Sequence, residues 1–397
     1  MSLADECPKD WADHPALMDD ASFEIHAHHK VEELESVWRE LQKQRTGNIY
    51  QNYDWVRLAI EHLEASNTAL ILHGKNHKET CFILPLVIED GAIKLVRWPG
   101  KSHANICSGL YSEGFLRSAS AADMEQIVDV IKSHVSGPAI LQLCNQPQLL
   151  AGLQNPMAWL PRQDSTNLMY SMDISQGMDA VLNSGNAKRK RKLFRKRSRE
   201  AEDFGGFELV SPQTAEEIDA ALEDFFHQKA LRFKELGIEN VFEAEEVRNF
   251  VRAVMTLPEC DGVKLQQFFE LKVAGKTRAM YGCALFHDYC QAWINSTTYD
   301  DFAKHGPGEM VLYLMIERLI ENGFSSLDLG VGTERYKVSW CGQGQPLFDV
   351  IMPLSVIASP YVALHKAKTG LKNRLRNDDR FWQPIKKFRK LKASLSE

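Results

Sequence analysis

Nowhere do the 397 residues string together the ~20 apolar side chains that a membrane-spanning helix needs. The opening segment, MSLADECPKDW, is acidic and has no apolar centre, so no secretory signal is expected and the cytoplasm is the expected compartment. Cysteine is present but unpatterned. Cys7, Cys81, Cys107, Cys144, Cys260, Cys283, Cys290 and Cys341 form no C-x-x-C pair and have no histidine at zinc spacing. That points to reduced, mostly buried thiols and no metal site, with Cys341 the one candidate nucleophile because it follows a candidate site loop. No internal sequence repeat is visible. What is present is a globular composition, 44% hydrophobic and 25% charged, in a chain long enough for two domains or three.

The net charge of −6 hides an asymmetry. Ala187–Arg199 reads AKRKRKLFRKRSR, nine Lys/Arg and no acid, and 361–397 carries eleven Lys/Arg against three Asp/Glu. Two basic segments on an acidic body suggest anionic partners: phosphates, a membrane surface, an acidic carrier protein or nucleic acid.

Hydrophobic periodicity predicts helices at 31–43, 53–64 and 121–134, and strands from Thr68, Thr80 and Ala92, with Glu89-Asp90-Gly91 as a tight turn. A strand at 139–145 completes a first unit, 21–150. The Pro-rich, weakly periodic stretch 151–166 reads as a linker to a second unit, 167–356. That unit repeats the order: a strand, helices near 177–203, 214–236 and 244–256, three strands from Lys264, a helix at 308–322, and two further strands. Helices, an antiparallel meander and then strand–helix–strand describe an α/β (α+β) fold with mixed, mainly antiparallel sheets in two related lobes. A basic, aromatic, helical tail, 357–397, ends the chain.

The most informative window runs from Gln291 to Gly342. A strand ends at Thr298-Tyr299, the chain turns through Lys304-His305-Gly306-Pro307-Gly308-Glu309, and an apolar helix begins. Glycines at a strand-to-helix turn let backbone N–H groups approach an anion such as a pyrophosphate; Gly-Pro-Gly is also ordinary turn chemistry. After the helix come Asp328-Leu329-Gly330, a second glycine loop, and Glu334-Arg335-Tyr336-Lys337. In a right-handed crossover both loops open on one edge of the sheet, which gathers titratable residues beside the phosphate turn. The same residues also read as a turn cap at Asp328 and a solvated helix face.

This window resembles the C-terminal motif of the GNAT-type acyltransferases named for cellulose biosynthesis, the CelD/BcsL family, relatives of the Fem peptidyltransferases. The resemblance rests on Tyr299-Asp300, Gly306-Pro307-Gly308, Gly323, Asp328-Leu329-Gly330-x-Gly332-x-Glu334-x-Tyr336-Lys337 and Trp340. Gly306 replaces the family's usual serine and Leu329 its phenylalanine. Further back, His227, Arg232, Gly237 and Phe242, the Arg-rich helix from Asn186, Tyr50–Trp55 and Ile83-Leu84-Pro85-Leu86 fit as well, so the likeness spans about 30–355.

The resemblance implies two tandem GNAT-like lobes, the second catalytic, and an acyl-CoA cosubstrate with no metal. The pantetheine arm would follow the strand to Thr298 and Tyr299, and the turn His305, Gly306, Gly308 and Glu309 would hold the pyrophosphate. Tyr336 would protonate the departing thiolate, Glu334 or Asp328 would be the general base, and Lys337 would orient a carboxylate or steady an oxyanion. His227, Arg232, Arg189 and Lys192 are the expected substrate contacts, although His227 is equally readable as a buried, satisfied histidine.

The implied reaction is acyl transfer to an amine or hydroxyl of a sugar or glycoconjugate acceptor in polysaccharide or envelope biosynthesis. An acyl carrier protein is a candidate partner, and the tail offers a weak contact with the inner face of a membrane; nucleic acid is not the expected partner. A Fem-like aminoacyl-tRNA ligase suits the Arg-rich helix, which is however short for the helical arm of such ligases. A non-catalytic RNA- or membrane-binding protein on the same fold is the third reading; it predicts anion binding without thioester cleavage.

Overall fold

A computed structural model describes residues 22–183, 187–260, 262–332 and 334–367. The first half contributes strands β1 (Glu24–His28), β2 (Thr68–Lys75), β3 (Thr80–Glu89), β4 (Lys94–Arg97), β5 (Leu110–Tyr111) and β6 (Ala139–Pro147), and helices α1 (Glu35–Gln42), α2 (Tyr53–Leu63), α3 (Glu113–Ser118) and α4 (Ala121–Ser133). The expected linker is structured: a small hairpin of β7 (Leu149–Leu150) and β8 (Leu153–Gln154), a short 3-10 turn at Pro156–Trp159, and then strand β9 (Arg162–Asp173). The second half supplies α5 (Met178–Asn183), α6 (Ala187–Gly205), β10 (Phe207–Val210), α7 (Ala215–Leu236), α8 (Glu245–Met255), β11 (Val263–Val273), β12 (Lys276–Phe286), β13 (Tyr289–Thr297), α9 (Pro307–Glu321), β14 (Ser326–Gly332), α10 (Arg335–Cys341) and β15 (Gln345–Pro353).

Among the described residues thirteen strands form one sheet, in the order β1-β2-β3-β4-β6-β15-β9-β14-β13-β12-β11-β10, with β5 beside β3. Only two of its neighbouring pairs are parallel, β4 with β6 and β13 with β14. Each closes a crossover after an antiparallel meander, so the same succession occurs in both halves. The last strand, β15, lies between β6 and β9 and joins the halves by pairing with both.

Local chemistry places the ends. Asn52 caps α2 by accepting from the Asp54 and Trp55 amides, and capping boxes start α4 at Ser120 and α7 at Thr214. Gly237 ends α7 in the left-handed region that a side chain avoids. Pro85, which has no N–H to give, sits in β3 between the stretches that pair with β5 and β4.

Two buried clusters flank the second half's strands. One unites the first half with α7 and α8, where Trp55, Phe250 and Trp293 meet edge to face at 5.4 and 5.8 Å. The other lies under α9, which buries Met310, Val311, Leu312, Met315, Ile316 and Leu319. Residues 359–367 are helical, and Val362 packs with Ile140 and Ile351. The rest of the expected tail, including Phe381, Trp382 and Phe388, lies outside the described residues. No helix among those residues is long and apolar enough to cross a membrane.

Candidate active site

Strands β13 and β14 pair for only three residues, Tyr289–Gln291 against Ser326–Asp328. Beyond them β13 stays with β12 while β14 follows β9, and the two part. The parting has a local cause. Asp328 turns its carboxylate onto the Gly330 amide at 2.6 Å, Gly330 is left-handed (φ 72°), and the β14–β9 register slips between Asp328 and Val331. A cleft of about 800 Å³ opens in the gap, and among the described residues no strand pairs with this edge of β13 beyond Gln291.

The cleft has two sides. Ser296 donates to the Gln228 side chain of α7 at 2.8 Å, whereas Thr297, the next residue, lies against Gly308 of α9. Successive strand residues point to opposite faces, so α7 lines the cleft from one face of the sheet and the α9 turn from the other.

On the α9 side, Gly306 is left-handed (φ 70°), no side chain caps the helix, and Arg197 of the basic helix packs on the turn. Its guanidinium holds Glu309 at 2.5 Å. Gly306, Gly308 and Glu309 line the cleft, as does Thr298. His305 turns away to Glu200 (3.1 Å), and Tyr299 meets Arg232 through its hydroxyl (2.9 Å) beside the cleft.

Tyr336 faces the cleft from α10, hydrogen-bonded to Tyr281 and Asn295. Burial first, and the Glu334 carboxylate after it, push its hydroxyl up to about 12. Lys337 is buried; its ammonium donates to the Val331 carbonyl (2.6 Å) and pairs with Glu334 at 3.5 Å. Glu334 itself stands exposed at the rim. The fold therefore brings Glu334, Tyr336, Lys337, Thr298, Gly306, Gly308, Glu309 and Arg232 to one cleft.

Other expected residues fall elsewhere. Asp328 is buried, bonded to Tyr289 (2.9 Å) as well as Gly330, and borders a separate cavity of about 380 Å³ between the halves rather than the cleft. Burial pushes its carboxyl up to about 6. His227 is exposed rather than buried, and lines a neighbouring groove with Asp224 and Glu270. Arg189 and Lys192 lie exposed on α6, outside the cleft lining. Burial pushes the Cys341 thiol up to about 12, which keeps it protonated and a poor nucleophile. Among the described residues no cluster of His, Cys, Asp and Glu is suited to a metal ion.

Two residues of the cleft and turn are not singled out by the sequence reading, Arg197 and Lys229, while Arg335, expected in the loop after β14, lines the cleft. Lys229 is half-buried on the α7 wall, its Nζ 5.8, 6.0 and 5.8 Å from the Phe225, Phe233 and Phe242 ring centres. Burial, then the neighbouring Arg232, push its ammonium down to about 8.

Residues 188–338 match the family model described as acetyltransferase (GNAT) domain. No curated protein sequence matches the chain. Among solved structures it is similar to FemX (11% identity, 86% of this chain, 99% of that one, TM-score 0.57). It is similar also to the C-terminal domain of an Agrobacterium fabrum protein assigned as a lysylphosphatidylglycerol synthetase (13%, 85% and 96%, 0.51). A conserved Bacteroides thetaiotaomicron protein of unknown function is a third (12%, 83% and 100%, 0.51). At these identities the likeness speaks for the fold. The chain thus has the GNAT acyltransferase fold, and the matched segment contains Lys229, the Gly306–Glu309 turn and Tyr336.

Proposed function

We propose that the protein transfers an acyl group from acyl-CoA to an amine or hydroxyl of a sugar or glycoconjugate acceptor, in polysaccharide or envelope biosynthesis, as a CelD/BcsL-type enzyme. The observation that carries this reading is one cleft joining an anion-ready turn to a protonated tyrosine across parted strands. The residues present fit the cosubstrate. The β13 edge from Ala292 to Thr297, which no strand pairs among the described residues, offers backbone groups to an extended arm, and Gly308 with Arg197 offers a backbone N–H and a guanidinium to phosphates. When bound there, acyl-CoA supplies the activated acyl group.

The chain's own residues handle the protons. Glu334, at the rim, takes one from the acceptor's amine or hydroxyl, and Lys337 holds that carboxylate in place. Tyr336 Oη keeps its proton throughout the neutral range and releases it to a leaving atom in the cleft. Asp328, facing away, shapes the gap by holding Gly330.

The test is thiol release from acetyl-CoA with amino-sugar acceptors. Tyr336→Phe is expected to lower turnover by roughly two to four orders of magnitude while the protein stays folded; undiminished turnover would sink the reading. An aminoacyl-tRNA donor is the second reading, favoured by the exposed cations Lys192, Arg195, Lys196 and Arg199 on the helix whose Arg197 touches the turn.

A further inference from the structure

We infer that the acceptor carries an anionic group, a phosphoryl or a carboxylate, and that Lys229, Arg232 and Arg335 receive it on the α7 side of the cleft. The inference rests on the acyltransferase reading for the word acceptor, but the subsite stands on geometry of its own.

Lys229 and Arg232 are three apart on α7 and so share one face of that helix. Around Lys229, the residues one turn either side are Phe225 and Phe233, and Phe242 closes a third side. Rings at this distance attract the cation and hold its stem, so the ammonium is steered toward the cleft at little further entropic cost. No carboxylate among the described residues lies within ion-pair distance of it. Glu334, just before α10, attracts it, while Arg232 on its own helix and Lys337 on α10 repel it.

The neighbouring charges are unevenly matched. Among the described residues Glu334 is the acid that acts on Lys229, and Lys337 already holds it at 3.5 Å. Arg232 has Glu235 at 3.2 Å, a residue half exposed to solvent, and the Tyr299 hydroxyl. Arg335 is exposed on the opposite wall, with no ion pair among the described residues. Arg232 and Lys337 repel Lys229, and a bound anion relieves that repulsion while accepting charge-assisted hydrogen bonds, with Arg335 on the facing wall of the same cleft.

The position separates this site from the cosubstrate's phosphates. The turn at Gly306–Glu309 works from one face of the sheet, and Lys229 from the other. A proton-accepting role for Lys229 is the rival explanation of a lysine placed here. It differs in one respect: an anion site tolerates arginine at 229, whereas arginine cannot give up its proton near neutrality.

The experiment titrates CoA-saturated protein with inorganic pyrophosphate and, separately, with glucuronate, by calorimetry. The expected result is saturable binding of at least one probe, weakened about tenfold by Lys229→Met, the loss of one charge-assisted hydrogen bond, and largely kept by Lys229→Arg. Which probe binds tells phosphoryl from carboxylate. A second readout needs no variant: amine-directed labelling of Lys229, followed by mass spectrometry, should slow when the probe is bound. Absence of saturable binding by either probe overturns the subsite, as do equal affinity in Lys229→Met, loss in both variants alike, or unprotected labelling. If CoA itself fails to bind, the acyl-CoA reading falls; the same titrations on Gly308→Glu, whose turn is blocked, still decide the subsite.

Discussion

Asparagine at position 328 keeps the shape of the aspartate and removes its charge. In the folded protein this side chain is buried, with one oxygen on the Gly330 amide and the other on the Tyr289 hydroxyl. Burial moves its pKa up to about 6, whereas in an unfolded chain it titrates near 4. A folded-state value above the unfolded one means that stability is fully present at low pH and is lost as pH rises through about 6. Two pKa units correspond to about 3 kcal/mol, an upper bound at pH 7. Asparagine keeps an acceptor for Gly330, and its NH2 donates to the Tyr289 oxygen once that hydroxyl turns, at the loss of the long contact from the Gln291 amide (3.5 Å). Urea unfolding of Asp328→Asn should therefore show a gain of up to about 3 kcal/mol at pH 7 that vanishes below pH 4. Acyl transfer should persist within about an order of magnitude, since Asp328 does not border the cleft. Equal destabilisation at both pH values would show that the hydrogen bonds, and not the charge, dominate. Loss of turnover at unchanged stability would return Asp328 to the role of base.

Arg197→Ala should weaken acetyl-CoA binding about tenfold, the value of one charge-assisted hydrogen bond, with the melting midpoint nearly unchanged because its partner Glu309 is solvated; titration calorimetry reads the affinity and scanning calorimetry the midpoint. In Tyr336→Phe the loss should fall on kcat rather than on KM, since the hydroxyl's proton matters only as the reaction proceeds, and steady-state kinetics would show the split.

Much of this was legible in the chain because the signals were local. The meander β11–β12–β13 is marked by its turns at Ala274-Gly275 and His287-Asp288, and the crossover by Gly306-Pro307-Gly308 ahead of an apolar helix. Glu334, Tyr336 and Lys337 follow β14 directly, so placing the strand places them. Other features depend on three dimensions. Asp328 looks like a site residue beside a glycine loop, yet the slip after it aims its side chain away from the cleft. Arg197 is one cation among nine, and nothing in the run singles out the one that meets the turn. Lys229 sits between phenylalanines that read as the buried stripe of an amphipathic helix; its partners Glu334 and Lys337 are about a hundred residues away. The short edge strands β1 and β10 are only five and four residues long, too brief for periodicity to show.

The central claim is most directly tested by titrating the full chain with acetyl-CoA in a calorimeter. The account predicts saturable binding, one molecule per chain, lost in Gly308→Glu, whose new side chain would stand on the turn and press on Thr297. Absence of binding by the intact, folded protein, with longer acyl-CoAs equally inert, would contradict it.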